Sequence, residues 1–216
     1  FPRESQHTLV FSMGPWVAGL QGGALRVSRG GGPDTEFFPG TMTGAAPAPF
    51  DPRFRNYKIF RTDPTGDDFR NWPVGDGAPV DRDGAPRLEG DQLIWSVSND
   101  ASLWARFTNG SEYDGETPPA GLELRQTTFA FAAPGPLSKI AFARFTLTNR
   151  SSAAMESTRA AIWSDADVGG SEDDLAGCDP ALDLGFVYNA PGVDEQYGAS
   201  SPAFGVSLLD APPEAG

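Results

Sequence analysis

Seven carboxylates crowd into one short run of the chain. The segment WSDADVGGSEDDLAGCDPALD, residues 163–183, holds Asp165, Asp167, Glu172, Asp173, Asp174, Asp179 and Asp183, and it has no Lys or Arg. Acids at that density repel one another unless a positive charge sits among them. Hard divalent cations take oxygen ligands, and Ca²⁺ accepts about six to eight of them in loose geometry. The expectation is a calcium-stapled loop with Asp165, Asp167, Asp173, Asp174 and Asp179 as ligands, the chain turning at Gly169-Gly170 and again at Gly177. Backbone carbonyls and water would supply the remaining oxygens.

The spacing narrows the kind of loop. Asp165-x-Asp167-x-Gly169-Gly170 begins like an EF-hand, but its fifth position is Gly169 and its twelfth is Ala176, where Asp or Asn and Glu belong. A strand-like segment leads in, not a helix. The pattern fits the wider class of Asp-x-Asp-x-Gly loops. Magnesium prefers water and phosphate to an all-protein cage, and zinc would lack its His and Cys ligands. The competing reading is a solvated acidic loop whose Asp residues form turns. Asp81-x-Asp83-Gly84 resembles a fragment of a second such loop but reads first as a hairpin turn, and Asn99-Asp100 is a further pair that could join it.

Catalytic patterns are weak. His7 is the one histidine, no Gly-x-Ser-x-Gly elbow occurs, and no phosphate loop or dinucleotide fingerprint is present. Two carboxylates could hydrolyse a glycoside, but these acids cluster locally instead of facing one another across a cleft. Cys178 stands alone, which rules out an internal disulfide, and it reads as a small buried residue. Asn109-Gly-Ser111 and Asn149-Arg-Ser151 match the N-glycosylation acceptor pattern, which is common by chance.

The elements that must position the acids read as β. Gly and Pro number 26 and 20 in 216 residues, which suits short strands joined by many turns. Strands are expected at Thr8–Ser12, Trp16–Leu20 and Ala24–Ser28, with a Gly22-Gly23 hairpin turn between the last two. Asn56–Arg61 and Asp91–Asn99 follow, the latter placing Leu93, Trp95 and Val97 on one face. Residues 121–133 and 138–149 form an antiparallel hairpin with apolar groups on both faces, as in the covered interior of a sandwich. Residues 155–164 deliver the chain into the acidic run, and Leu184–Tyr188 and Ala203–Leu209 close it. The fold class is therefore all-β, an antiparallel β-sandwich of jelly-roll or immunoglobulin type with long Gly/Pro-rich loops and little helix. One domain is expected over 1–210, with residues 1–60 as an optional β-rich subregion and 211–216 as a linker-like tail. The opening Phe1-Pro2-Arg3 shows no Met and no apolar leader, which suggests a processed chain or a fragment.

Charge is placed unevenly. Of the net −13, residues 151–216 contribute −11, with twelve acids against Arg159, while residues 1–150 contribute −2. Such acidity argues against nucleic acid and anionic lipid as partners and favours cations. No apolar run is long enough for a membrane helix.

The segments EFFPG (36–40), NWPVGDGAPVDRDG (71–84), GDQLIWSVSND (90–100), PPAGLELRQTTFAF (118–131), WSDADVGGSEDDLAGCD (163–179), LGFVYN (184–189) and YGASSPAFG (197–205) together resemble a region of large secreted bacterial surface proteins. Many of these are Bacteroidetes-like and carry a sorting domain for type IX secretion. The resemblance implies an extracellular or cell-surface β-rich module and supplies no activity. Secretion agrees with calcium, because extracellular calcium at about millimolar levels fills even weak sites. The expected function is a non-enzymatic, calcium-stabilised surface module for adhesion, surface-layer or filament assembly, with copies of itself or other surface proteins pairing through strand edges. The alternative is a carbohydrate-binding module that stacks glycans on Trp72, Trp95 or Trp104; a glycoside hydrolase ranks behind both.

Overall fold

The computed structural model describes residues 4–32, 35–102, 117–190 and 192–210. The protein is mostly β, with several antiparallel sheets and one helix, as expected. The chain forms two compact units, Pro15–Ala161 and Phe1–Gly14 with Ile162–Gly216.

The larger unit is built on a five-stranded sheet. Its strands are β3 (Phe38–Pro39), β6 (Tyr57–Phe60), β7 (Gln92–Asn99), β8 (Leu122–Ala130) and β9 (Ala141–Asn149), and β7 pairs with β8 and β8 with β9 along their lengths. The expected alternation of β7 holds: Leu93, Trp95 and Val97 are buried. They join Phe54, Tyr57, Ile59, Trp72 and Ala78 in one core. Residues 62–90 thus cover a sheet face. They carry the short helix α1 (Asp67–Arg70) and a 3-10 turn at Val74–Asp76, and the Trp72 indole N–H donates to the Pro79 carbonyl at 2.9 Å.

The other face of β8 serves a second core. Leu122 and Leu124 pack with Val17, Phe37 and Ala120, and Phe145, Leu147 and Met155 flank them. Val17 belongs to β1 (Val10–Gln21), the middle strand of a three-stranded sheet between β10 (Glu156–Ala166) and β2 (Ala24–Arg29). β8 is therefore buried on both faces, as its apolar pattern required, while β9 is the outermost strand of its sheet.

Two sequence expectations change. Thr8–Ser12 and Trp16–Leu20 are one strand, because the ladder to β2 starts at Trp16 opposite Arg29, and Pro15, which has no N–H to offer, stands just outside it. Short strands β4 (Met42–Thr43) and β5 (Ala46–Pro47) form a small hairpin for which no strand is expected from sequence. It is tied down from the sheet: the Met42 N–H donates to the buried carboxylate of Glu123 at 2.8 Å.

The smaller unit contains a three-stranded antiparallel sheet, β11 (Asp174–Asp179), β12 (Leu184–Asn189) and β13 (Ala203–Ser207), with β12 in the middle. Residues 174–179, taken from sequence as part of a loop, are thus a strand, and Gly177 is not a turn. It pairs with Phe186, and a Cβ on Gly177 would lie 2.6 Å from the Phe186 ring. The aromatic ring lies across the glycine, covering backbone that would otherwise be bare. No helix among the described residues is long and apolar enough to cross a membrane.

Candidate functional site

The acidic run begins where β10 ends. Asp165 is the next-to-last residue of β10, and Asp167 lies just past its end. Val168 follows and is fully buried. Its N–H donates to the Asp174 Oδ2 at 2.8 Å, which closes the 168–174 loop on the first residue of β11. Asp165, Asp167 and Asp174 consequently feel one another. The Asp167 carboxyl is held above its ordinary value, first by burial and then by the negative charges of Asp165 and Asp174. A carboxylate in that position is stabilised by any cation that approaches.

The two further expected ligands lie at opposite ends of β11. Asp173 precedes β11, and its backbone carbonyl accepts from the Ala190 N–H at 3.0 Å. Asp179 stands at the opposite end of β11, where its Oδ1 accepts from the Ala181 N–H at 3.0 Å and starts a 3-10 turn. Five residues of extended strand put it about 16 Å from Asp174. Asp165 and Asp174 therefore both act on Asp167, Asp173 adjoins Asp174 in the chain, and Asp179 stands apart. Among the described residues no three His, Cys, Asp or Glu side chains converge closely enough to hold an ion by themselves. A cage here needs other oxygens as well as these carboxylates.

The loop that faces this region was not singled out from sequence. Asp194 is 2% exposed, and its carboxylate is ringed by N–H donors. Its Oδ2 takes the Gly170 N–H at 2.9 Å and the Asn189 amide at 3.4 Å, and its Oδ1 takes the N–H groups of Gln196 and Tyr197 at 2.7 and 2.6 Å. The Gly170 bond, aided by those from Tyr197, Gln196 and Glu195, holds its carboxyl below the ordinary value against the opposing effect of burial. Gly169 is obligatory beneath it: φ is +86°, and a Cβ would fall 2.1 Å from the Asp194 Oδ1. The signal available in sequence was Asp-x-x-Tyr-Gly, an Asp followed by a turn, which many unrelated turns share.

Other expected residues have structural employment. Asp81 Oδ1 accepts from the N–H groups of Asp83 and Ala85 at 2.9 and 3.0 Å, as a hairpin turn requires. Asn99 donates to the Gly40 carbonyl, and the Asp100 carboxylate takes Ser28, Ala120 and Leu122. Trp72 and Trp95 are core residues and offer no sugar platform. Trp104 and Asn109 lie outside the described residues. Asn149 turns its side chain back on Ala153 and Ser151. His7 packs edge-on against Tyr197, with ring centroids 5.2 Å apart. Cys178, expected to be buried, is exposed; it lies on β11 opposite Gly185, which has no side chain to cover it.

Comparison of the chain with protein-family models, curated protein sequences and solved structures found no match. The functional reading therefore rests on the residues themselves.

Proposed function

We propose that this chain is a non-enzymatic, calcium-stabilised module of an extracellular surface protein, acting in adhesion, surface-layer or filament assembly. The observation that carries the calcium reading is the gathering of Asp165, Asp167 and Asp174 at the entry to β11, where the Val168 N–H binds the Asp174 carboxylate and no Lys or Arg in the run offsets the repulsion that Asp165 and Asp174 exert on Asp167. Calcium would neutralise that repulsion and order the entry into β11. Assembly would use β9, β11 and β13, the outermost strands of their sheets among the described residues, since an outer edge is what a neighbouring chain can extend.

The test is thermal unfolding of the full chain in millimolar calcium and in excess EGTA. A ligand that binds only the folded state adds about 2.7 kcal/mol at a hundredfold excess over its Kd. Calcium is expected to raise the melting temperature by several degrees, and Asp167→Ala to remove the rise. An unchanged melt in a chain shown by elemental analysis to be free of metal overturns the reading.

A further inference from the structure

Three acceptor oxygens at one end of the β11–β12 ladder are buried and have no hydrogen-bond partner: Asp173 Oδ1, Asp174 Oδ1 and Asn189 Oδ1. Asn189 is the decisive member. It is 8% exposed, neutral, and pairs directly across the ladder from Asp174, so the two side chains project from the same face of the sheet. Its amide nitrogen is already turned to the Asp194 Oδ2 at 3.4 Å. Turning the amide over would set its oxygen against that carboxylate, so the oxygen belongs on the other side, away from Asp194. Buried acceptors without donors are costly and are uncommon in folded proteins. Three together, all oxygens and two of them carboxylate, call for a species that accepts electron pairs.

We infer that a calcium ion binds at this end of the ladder with the Asn189 amide oxygen as a neutral ligand beside the carboxylates of Asp173 and Asp174. The inference rests on the calcium reading above and makes it specific. Asp165 and Asp167 supply negative charge from the end of β10, and Asp179 takes no part. Mixed carboxylate and amide oxygens suit calcium, which tolerates irregular shells of many oxygens, better than magnesium, which demands a near-ideal octahedron. Asn189 also connects the ion to Asp194, whose hydrogen bonds hold the Gly170 turn, so filling the site would draw the acidic run and the 194–198 loop into one ordered body.

Calorimetric titration of the EDTA-stripped full chain with calcium chloride tests it, alongside melting in calcium and in EGTA. The unaltered chain is expected to bind one ion. Asn189→Ala is expected to weaken binding by roughly ten- to a hundredfold while leaving the EGTA melt nearly unchanged, because the single bond it loses is long. Asp179→Asn is expected to bind as the unaltered chain does. Asn189→Asp keeps an oxygen in place; it is expected to melt lower in EGTA and to gain more from calcium, and it carries the test if the alanine variant does not fold. If the unaltered chain binds calcium and Asn189→Ala binds it equally well with a lowered EGTA melt, Asn189 is a structural residue and the inference fails while the calcium reading stands. If the unaltered chain binds no calcium at millimolar concentration, both fail.

Discussion

Asp194 and Glu123 are both buried carboxylates, and each holds a different part of the protein in place. Asp194 organises backbone N–H groups from two loops, and the absence of a side chain at Gly169 leaves room for it. Gly169→Ala is expected to cost more than about 1–2 kcal/mol, since it combines a left-handed backbone with a direct overlap. Chemical denaturation monitored by far-UV circular dichroism would read it, and an unchanged midpoint would show that the loop adopts another course. Glu123, 1% exposed, is pinned between two guanidinium groups, with Arg150 Nη2 at 2.8 Å and Arg125 Nη2 at 3.0 Å. Burial pushes its carboxyl up, but the Arg150 hydrogen bond, the Met42 N–H and the charges of Arg125 and Arg150 outweigh that and hold it below its ordinary 4.5. A depressed carboxyl contributes stability that is complete above the unfolded value and is lost as the pH falls through the folded one. Unfolding free energy should therefore drop below pH 4.5 by an amount that Glu123→Gln removes. That variant should also lose about 3 kcal/mol at neutral pH, where it leaves the paired arginines without their counter-charge.

Strands in the two units solve their packing differently. In the five-stranded sheet, β8 distributes its residues to two cores, with Leu122 and Leu124 on one side and Thr127 and Phe129 facing Trp95 and Leu93 on the other. In the β11–β13 sheet, a single ring does the work of a row of side chains. Phe186 lies over Gly177, tilts toward Tyr188 at 6.0 Å, and has Gly205 opposite it on β13. Phe186→Ala should therefore destabilise this sheet by about 3 kcal/mol. Gly177→Val should be as damaging despite the higher strand propensity of valine, because the new side chain displaces the ring. If Gly177→Val proves stabilising on equilibrium unfolding, the ring does not depend on the glycine.

At the scale of the whole molecule, charge and structure divide along the same lines. Residues 151–216 carry −11 of the net −13, and most of their acids fall in the unit that contains the β11–β13 sheet. Hydrogen exchange with and without calcium should reflect this division. Calcium is expected to slow exchange at residues 165–175 and around Asn189, and to leave the amides of β7 and β8 unaltered. Equal slowing in β7 and β8 would mean that the ion acts globally and not at the acidic run.

Local pattern was enough for much of this. The alternation of Leu93, Trp95 and Val97, the two-faced apolar content of residues 122–130 and the Gly22-Gly23 turn each follow from periodicity or backbone freedom that neighbours in the chain reveal. The all-β class follows from them, and the acidic run declares itself by composition alone. What tertiary structure decided involves residues distant in sequence. Gly177 is a strand residue because a ring nine positions later lies across it, and Asp179 parts from Asp174 because the strand between them is extended. Asn189 and Asp194 become site residues only when β12 returns alongside β11 and brings an amide oxygen opposite Asp174. No single-chain pattern marks them, since the significance of a buried acceptor lies in what surrounds it, and those surroundings are assembled only by folding.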